Sequence, residues 1–406
     1  MKLIFASDSF KGSLSSEKTA ELLTRAAREV FGECECVGVP MADGGEGTVD
    51  AVISALNGER AEAIVHDPLM NRIRAEYGIR GDKAIIEMAA ASGLTLVPES
   101  LRNPLNTTTY GTGELIINAL DRGCRELYIA IGGSATNDGG MGCMRALGAK
   151  FLNADGGELS GCGRDLANVK DIDLSGLDKR LSDTKITVLC DVKTPLCGVN
   201  GATYTFAKQK GATPEMMELL ERGMCNYRDV IIRQFGINCD NTEGAGAAGG
   251  LGAALKVFLC ADMRSGVETV LDLVGFDELL NDADLVVTGE GRADRQSCFG
   301  KVMQGVGTHA KAKGVPVIGL CGSIGEGADG LLRYGVTELI PISDSSVSLD
   351  YAMANAEKLY YKAAVKMFNR YKNRIVVIAG SPKSPLCGLQ ESLLLGRRTS
   401  CGTIRE

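Results

Sequence analysis

Apolar residues in this chain alternate between two periods. Short apolar runs that read as buried strands stand at Lys2 to Ala6, Cys36 to Val39, Leu127 to Ile131 and Ile186 to Leu189. Three more follow at Ala283 to Val287, Val315 to Leu320 and Val336 to Ile340. Helical spacing begins at about Ser16, where Ala20, Leu22, Leu23, Ala26, Ala27, Val30 and Phe31 share a face. Further helices are predicted from Thr48 to Leu56, from about Glu114 to Asp121, and from about Ser348 to Tyr371. The first sixty residues therefore read β-loop-α-β-loop-α, which predicts a parallel sheet with ligand loops at the carboxyl ends of its strands. From Glu62 to Met88 the rhythm changes to short runs broken by turns such as Arg80-Gly81-Asp82-Lys83, the pattern of antiparallel strands.

Strand and helix alternate again from Ala283 onward, as they do at the start. The two terminal segments are predicted to share one sheet, with residues from about 61 to 283 as an inserted domain. Length agrees, because 406 residues exceed the roughly 250–300 that one core supports. A net charge of −7 excludes the basic footprint of a nucleic-acid binder and suits a protein of small molecules. No apolar run approaches the roughly 18 residues of a membrane span, and Met1 to Ala6 is too short for a signal peptide. The expectation is a cytoplasmic protein with no membrane or nucleic-acid partner. Its fourteen cysteines, scattered and without a C-x-x-C pair, are expected to be reduced structural thiols. Two histidines leave little for a zinc site or a Ser-His-Asp triad.

The candidate chemistry sits in the loops. After Leu127 to Ile131 comes Gly132-Gly133-Ser134-Ala135-Thr136-Asn137-Asp138-Gly139-Gly140, with four glycines and four polar residues in nine positions. A strand-to-helix turn needs fewer glycines, so this loop is read as a phosphate or polyol site built on backbone N–H groups. Ser134, Thr136 and Asn137 add donors, and Asp138 a carboxylate. The first loop, Ser7 to Ser13, carries Ser9 and the compact cation Lys11; the second carries Asp43 and Glu46 between glycines, suited to magnesium or a hydroxyl. Asp191, just beyond a strand, is placed either as a general base or as a cap of the next turn. Lys208 and Lys210 are cations beside glycines, and Glu290, Arg292 and Asp294 follow another strand end. Gly244 to Gly252 contains a literal G-x-G-x-x-G, but no strand precedes it, so it reads as a packing or substrate loop rather than a dinucleotide site. No P-loop motif occurs.

Together these motifs resemble the bacterial type I glycerate kinase family. The resemblance rests on Ser7-Asp8-Ser9-Phe10-Lys11-Gly12, Met41-Ala42-Asp43-Gly44-Gly45-Glu46-Gly47-Thr48, Thr108 to Leu115, Gly132 to Gly140 and Cys190-Asp191-Val192. It also rests on Gln209-Lys210-Gly211-Ala212, Gly244 to Gly250 and Thr288-Gly289-Glu290-Gly291-Arg292, and it covers about residues 1 to 372. It implies two α/β domains, a Rossmann-like parallel-sheet domain (1–60 and 284–374) interrupted by a second (61–283). Residues 375–406 stand apart as an atypical tail. It further implies transfer of the ATP γ-phosphate to D-glycerate with Mg²⁺, giving 2-phosphoglycerate. On that reading Lys11, Ser9 and the loop Gly132, Gly133, Ser134, Thr136, Asn137 and Asp138 hold phosphates or substrate. Mg²⁺ is held from Asp43, Glu46 or Glu290; Asp191 is the general base; Arg292 or Lys210 grips the substrate carboxylate. A homo-oligomer is possible. Two other classes stay open, a NAD-dependent dehydrogenase of a small hydroxy acid and a catalytically inactive hydroxy-acid binding protein.

Overall fold

The computed structural model describes residues 1–42, 47–56, 58–343 and 346–379. Its first sheet has five parallel strands in the spatial order Val336–Pro341, Val317–Cys321, Leu285–Thr288, Lys2–Phe5, Glu35–Gly38. Both ends of the chain thus build one sheet, as the alternation of apolar runs predicts. Leu3 pairs with Leu285, and the direction of winding reverses between these two central strands. In doubly wound sheets such a reversal opens a crevice at the carboxyl ends of the strands, where ligands bind.

The second sheet has six strands in the order Asp262–Arg264, Lys185–Leu189, Glu126–Ala130, Lys83–Glu87, Arg72–Arg80, Glu59–His66. The first four run parallel and the last two pair antiparallel, which meets the expectation for residues 62–88. Leu127, Ile129, Val188 and Ile86 are all fully buried, because a central strand covered on both faces must be apolar throughout. Glu59–His66 instead alternates exposed and buried residues, as an edge strand with one wet face does.

One continuous core joins the two sheets. Ile4, Ala6 and Val286 share it with Ile85, Tyr128 and Leu189 and with Val52, Val267, Val270, Val302 and Val306 on intervening helices. The backbone N–H of Val49, at the start of helix Thr48–Leu56, donates to Glu87 Oε1 at the end of a second-sheet strand (2.9 Å). The carboxyl edges of both sheets therefore face a common region. The opposite face of the first sheet is covered by helices Ser16–Phe31 and Ala356–Ala379, through Leu22, Leu23, Ala26, Ala27, Tyr360 and Phe368. Each such fully buried large side chain contributes about 1.5–3 kcal/mol.

Two helices depart from the sequence pattern. Helix Tyr110–Asp121 starts four residues before the predicted Glu114. The predicted long helix from Ser348 is two helices, Leu349–Ala354 and Ala356–Ala379. They break at Asn355, whose backbone leaves the helical region (φ −116°, ψ 21°) although its N–H still donates to the Tyr351 carbonyl (3.0 Å). The last helix continues through residues 375–379; residues 380–406 lie outside the described residues.

Candidate active site

At the reversal in the first sheet, two loops leave adjacent strands side by side. Asp8 N donates to Gly289 O (2.9 Å), and Thr288 Oγ1 donates to Ala6 O (2.7 Å). Beyond Asp8 the chain closes a tight turn, with Phe10 N on Leu14 O and Ser13 N on Phe10 O (both 2.8 Å). Gly12 supplies the positive φ (79°) that this turn requires. Lys11 is left exposed at its tip, and Ser9 is half-buried with its N–H on Asp8 Oδ1 (2.7 Å). A methyl group on Gly291 would lie 3.6 Å from Phe10 Cα, so the Glu290–Arg292 segment runs beside Lys11.

Glu290 is 7 % exposed, and its Oε1 has no hydrogen-bond partner. Its Oε2 lies 3.6 Å from Lys301 Nζ. Burial pushes the carboxyl pKa up, with Ser297 and Lys301 pulling against that shift. A buried carboxylate with an unclaimed hard oxygen fits Mg²⁺. Asp43 and Glu46, the other two predicted magnesium ligands, lie outside the described residues. The Arg292 side chain is 70 % exposed, with Nε 3.4 Å from Asp294 Oδ2.

Asp191 stands two residues beyond strand Lys185–Leu189 and is exposed. Its Oδ1 accepts from Gly266 N (3.1 Å) at the start of helix Gly266–Leu273, so it braces a helix 75 residues away rather than the next turn. It also looks across to the other unit: a methyl group on Gly300 would lie 3.7 Å from Asp191 Oδ1. Lys301, the next residue, reaches Glu290. This row of carboxylate, lysine and carboxylate was not foreseen, although Gly300-Lys301 directly before a helix was visible in the sequence.

The glycine loop after Glu126–Ala130 is arranged differently. Gly132 and Gly133 are exposed at the strand end, one strand from Asp191. Ser134, Thr136, Asn137 and Asp138 turn inward and are buried. Asp138 Oδ2 accepts from Thr109 N and Thr109 Oγ1 (both 2.8 Å) and from Gly142 N (3.2 Å), while Oδ1 accepts from Gly140 N (3.0 Å). Burial raises its pKa despite these donors. Lys210, 2 % exposed, donates to Ser134 Oγ (2.8 Å) and Thr136 O (2.6 Å). Burial pushes its pKa down to about 7, with the charge of Asp138 acting the other way. Lys208, its twin in the sequence, is exposed. Asn137 Nδ2 bonds Thr203 Oγ1 (3.3 Å); Thr136 Oγ1 and Asn137 Oδ1 have no partner. Two of the threonines at 107–109 brace this loop, Thr107 on Ala135 O and Thr109 on Asp138, while Thr108 donates to Gly161 O (2.8 Å).

The G-x-G-x-x-G match packs beneath the same loop. Gly249 O accepts from Gly139 N (2.9 Å), and a Cβ on Gly249 would fall 2.1 Å from Thr136 O. A 3₁₀ turn, Cys239–Asn241, precedes this match in place of the strand that a dinucleotide site needs.

The profile of the Glycerate kinase family matches residues 3–372. The chain is 47 % identical over 366 residues to the glycerate kinase of Bacillus subtilis (strain 168), covering 90 % of this chain and 96 % of that protein. It is 46 % identical over 358 residues to the glycerate 2-kinase of Escherichia coli (strain K12), covering 88 % and 94 %. A crystal structure provisionally named glycerate kinase 2, from Salmonella typhimurium LT2, superposes with a TM-score of 0.83 at 44 % identity, covering 92 % of this chain and 99 % of that one. Motifs, fold and relatives agree, and the chain belongs to the glycerate kinase family.

Proposed function

We propose that this chain transfers the γ-phosphate of ATP to D-glycerate, giving 2-phosphoglycerate and ADP. The observation that carries this reading is the likeness over about nine-tenths of the chain to proteins named glycerate kinase and glycerate 2-kinase. The geometry is compatible with it. Phosphoryl transfer needs charge neutralisation and in-line positioning more than covalent chemistry. Lys11 and Arg292, both exposed at the reversal of the first sheet, hold phosphate or substrate carboxylate. Gly132 and Gly133 offer backbone N–H groups from the facing sheet, and Ser9 a hydroxyl. Mg²⁺, which when bound offsets phosphate charge, is held from Glu290, Asp43 or Glu46. Asp191 accepts the proton of the attacking glycerate hydroxyl, across from Gly300 and Lys301. Lys210, Ser134, Thr136, Asn137 and Asp138 shape the loop from inside.

The division into residues 1–60 with 284–374 and an inserted unit 61–283 is supported by the sheets, whose strands fall on either side of those limits except that Glu59–His66 of the second sheet begins two residues before 61. Among the described residues no helix is long and apolar enough to cross a membrane. The free thiols of the described cysteines support a reducing, cytoplasmic setting.

The test is ³¹P NMR of the protein with ATP, Mg²⁺ and D-glycerate. The expected result is loss of the γ-phosphate signal and growth of 2-phosphoglycerate. Growth of the 3-phosphate would correct the position of transfer, and intact ATP beside folded protein would overturn the kinase reading.

A further inference from the structure

The cysteines look scattered in the sequence, yet the fold gathers two of them with a carboxylate, away from the site above. Glu221 and Cys225 are four residues apart on helix Pro214–Phe235, hence on one face of it. Cys197 comes to them from the loop that follows Asp191. One ligand atom from each of Cys197, Glu221 and Cys225 lies within 4.8 Å of the other two. Cys225 Sγ is 3.7 Å from Glu221 Oε1. Around a tetrahedral zinc ion, with bonds of about 2.3 Å to sulfur and about 2.0–2.2 Å to oxygen, neighbouring ligand atoms stand roughly 3.5–3.8 Å apart.

A second observation points the same way. Glu221 is 9 % exposed, and its Oε2 has no hydrogen-bond partner, although Oε1 accepts from Gly198 N (2.6 Å). A buried, half-satisfied carboxylate is costly unless something claims the second oxygen. The surroundings already hold the three groups in place. Asp240 Oδ1 accepts from the Cys197 backbone N–H (3.2 Å), and Asp240 Oδ2 pairs with Arg228 (2.9 Å). Asp240 is thereby tied up and steadies the loop, as groups behind metal ligands do.

We propose that Cys197, Glu221 and Cys225 form a binding site for zinc, a thiophilic divalent cation, with water in the fourth position. Two sulfurs and one oxygen suit zinc and exclude magnesium or calcium, which take oxygen ligands. The ion clamps the loop carrying Asp191 to helix Pro214–Phe235. Binding displaces the protons of both thiols to solvent.

The test uses the full chain, reduced and stripped of metal, titrated with Co²⁺ as a spectroscopic probe and then with Zn²⁺. The expected result is one Co²⁺ per chain with a thiolate-to-cobalt charge-transfer band, displaced by Zn²⁺. Cys225→Ser is expected to weaken binding at least a hundredfold. Glu221→Gln, which keeps both thiols and the shape, is expected to weaken it at least tenfold. Cys260→Ser, which alters an exposed thiol elsewhere, leaves binding unchanged. The proposal is overturned if the reduced chain shows no such band. It is equally overturned if the band survives undiminished in both Cys225→Ser and Glu221→Gln.

Discussion

Two glycine-rich turns in this protein look alike in sequence and are used in opposite ways. Around Gly132–Gly140 the polar side chains point inward, and their capacity is largely spent on the protein itself: Asp138 takes four donors and Lys210 gives to Ser134 and Thr136. Around Gly289–Gly291 the charged groups are only loosely paired, Arg292 with Asp294 (3.4 Å) and Glu290 with Lys301 (3.6 Å). Glu290 keeps a buried oxygen without a donor, and Lys11 and Arg292 stand in solvent. Glycine density in the first turn reports backbone crowding, since a Cβ on Gly139 would fall 2.6 Å from the Tyr227 ring. Loosely paired charge beside solvent, more than glycine or an orphaned neutral oxygen such as those of Thr136 and Asn137, marks the place where a ligand is needed.

The largest expected effect comes from breaking the first turn. Asp138→Ala leaves four buried donors without an acceptor, each at about 1–3 kcal/mol. The sum is comparable with a typical total stability of about 5–15 kcal/mol. Urea denaturation should show a loss of at least about 4 kcal/mol, or no folded protein at all. A loss below about 1 kcal/mol with activity abolished would mean that Asp138 serves a ligand after all, and the contrast would collapse.

Asp191→Asn tests the second region. The amide keeps an oxygen for the Gly266 N–H, so the urea midpoint should not move. Loss of a general base should lower kcat by about 10²–10⁴. Near-normal turnover would leave Asp191 as a helix cap only.

Glu290→Gln should raise the Mg²⁺ concentration needed for half-maximal rate at least tenfold. Stability should hold or rise, because the substitution removes a buried, poorly satisfied charge. An unchanged Mg²⁺ requirement would take Glu290 out of the metal site.

Much of this was legible in the sequence, and the failures share one cause. Helix Thr48–Leu56 matches its apolar spacing residue for residue, because burial on one face leaves a period to read. The strands shift by at most two residues from their apolar runs. What the sequence hides is the direction of a polar side chain. Lys208 and Lys210 stand two apart beside the same glycine, yet one is in water and the other sealed under a loop. Asp138 looked like a ligand because Thr109, the residue that occupies it, is 29 positions away. The break at Asn355 was missed because it is a change in one residue's backbone angles, which no apolar period records.

The effect that accrues most gradually is a slope, small at each step of pH, and it separates the two turns most finely. Lys210 titrates at about 7 in the folded protein against an ordinary value of 10.5. Between those two pH values the unfolded chain holds a proton that the folded chain lacks, so stability rises with pH through this window. The rise is of order 1 kcal/mol per pH unit. Lys210→Met removes the group and its slope, whereas other titrating groups are common to both proteins and cancel in the difference. Wild-type stability should therefore gain on that of the variant as pH increases from about 7 to about 10. A difference flat across this range would mean that Lys210 stays charged beneath Ser134 and Thr136. The first turn would then carry a fixed cation behind its exposed glycines, making it an anion site of the same kind as the second.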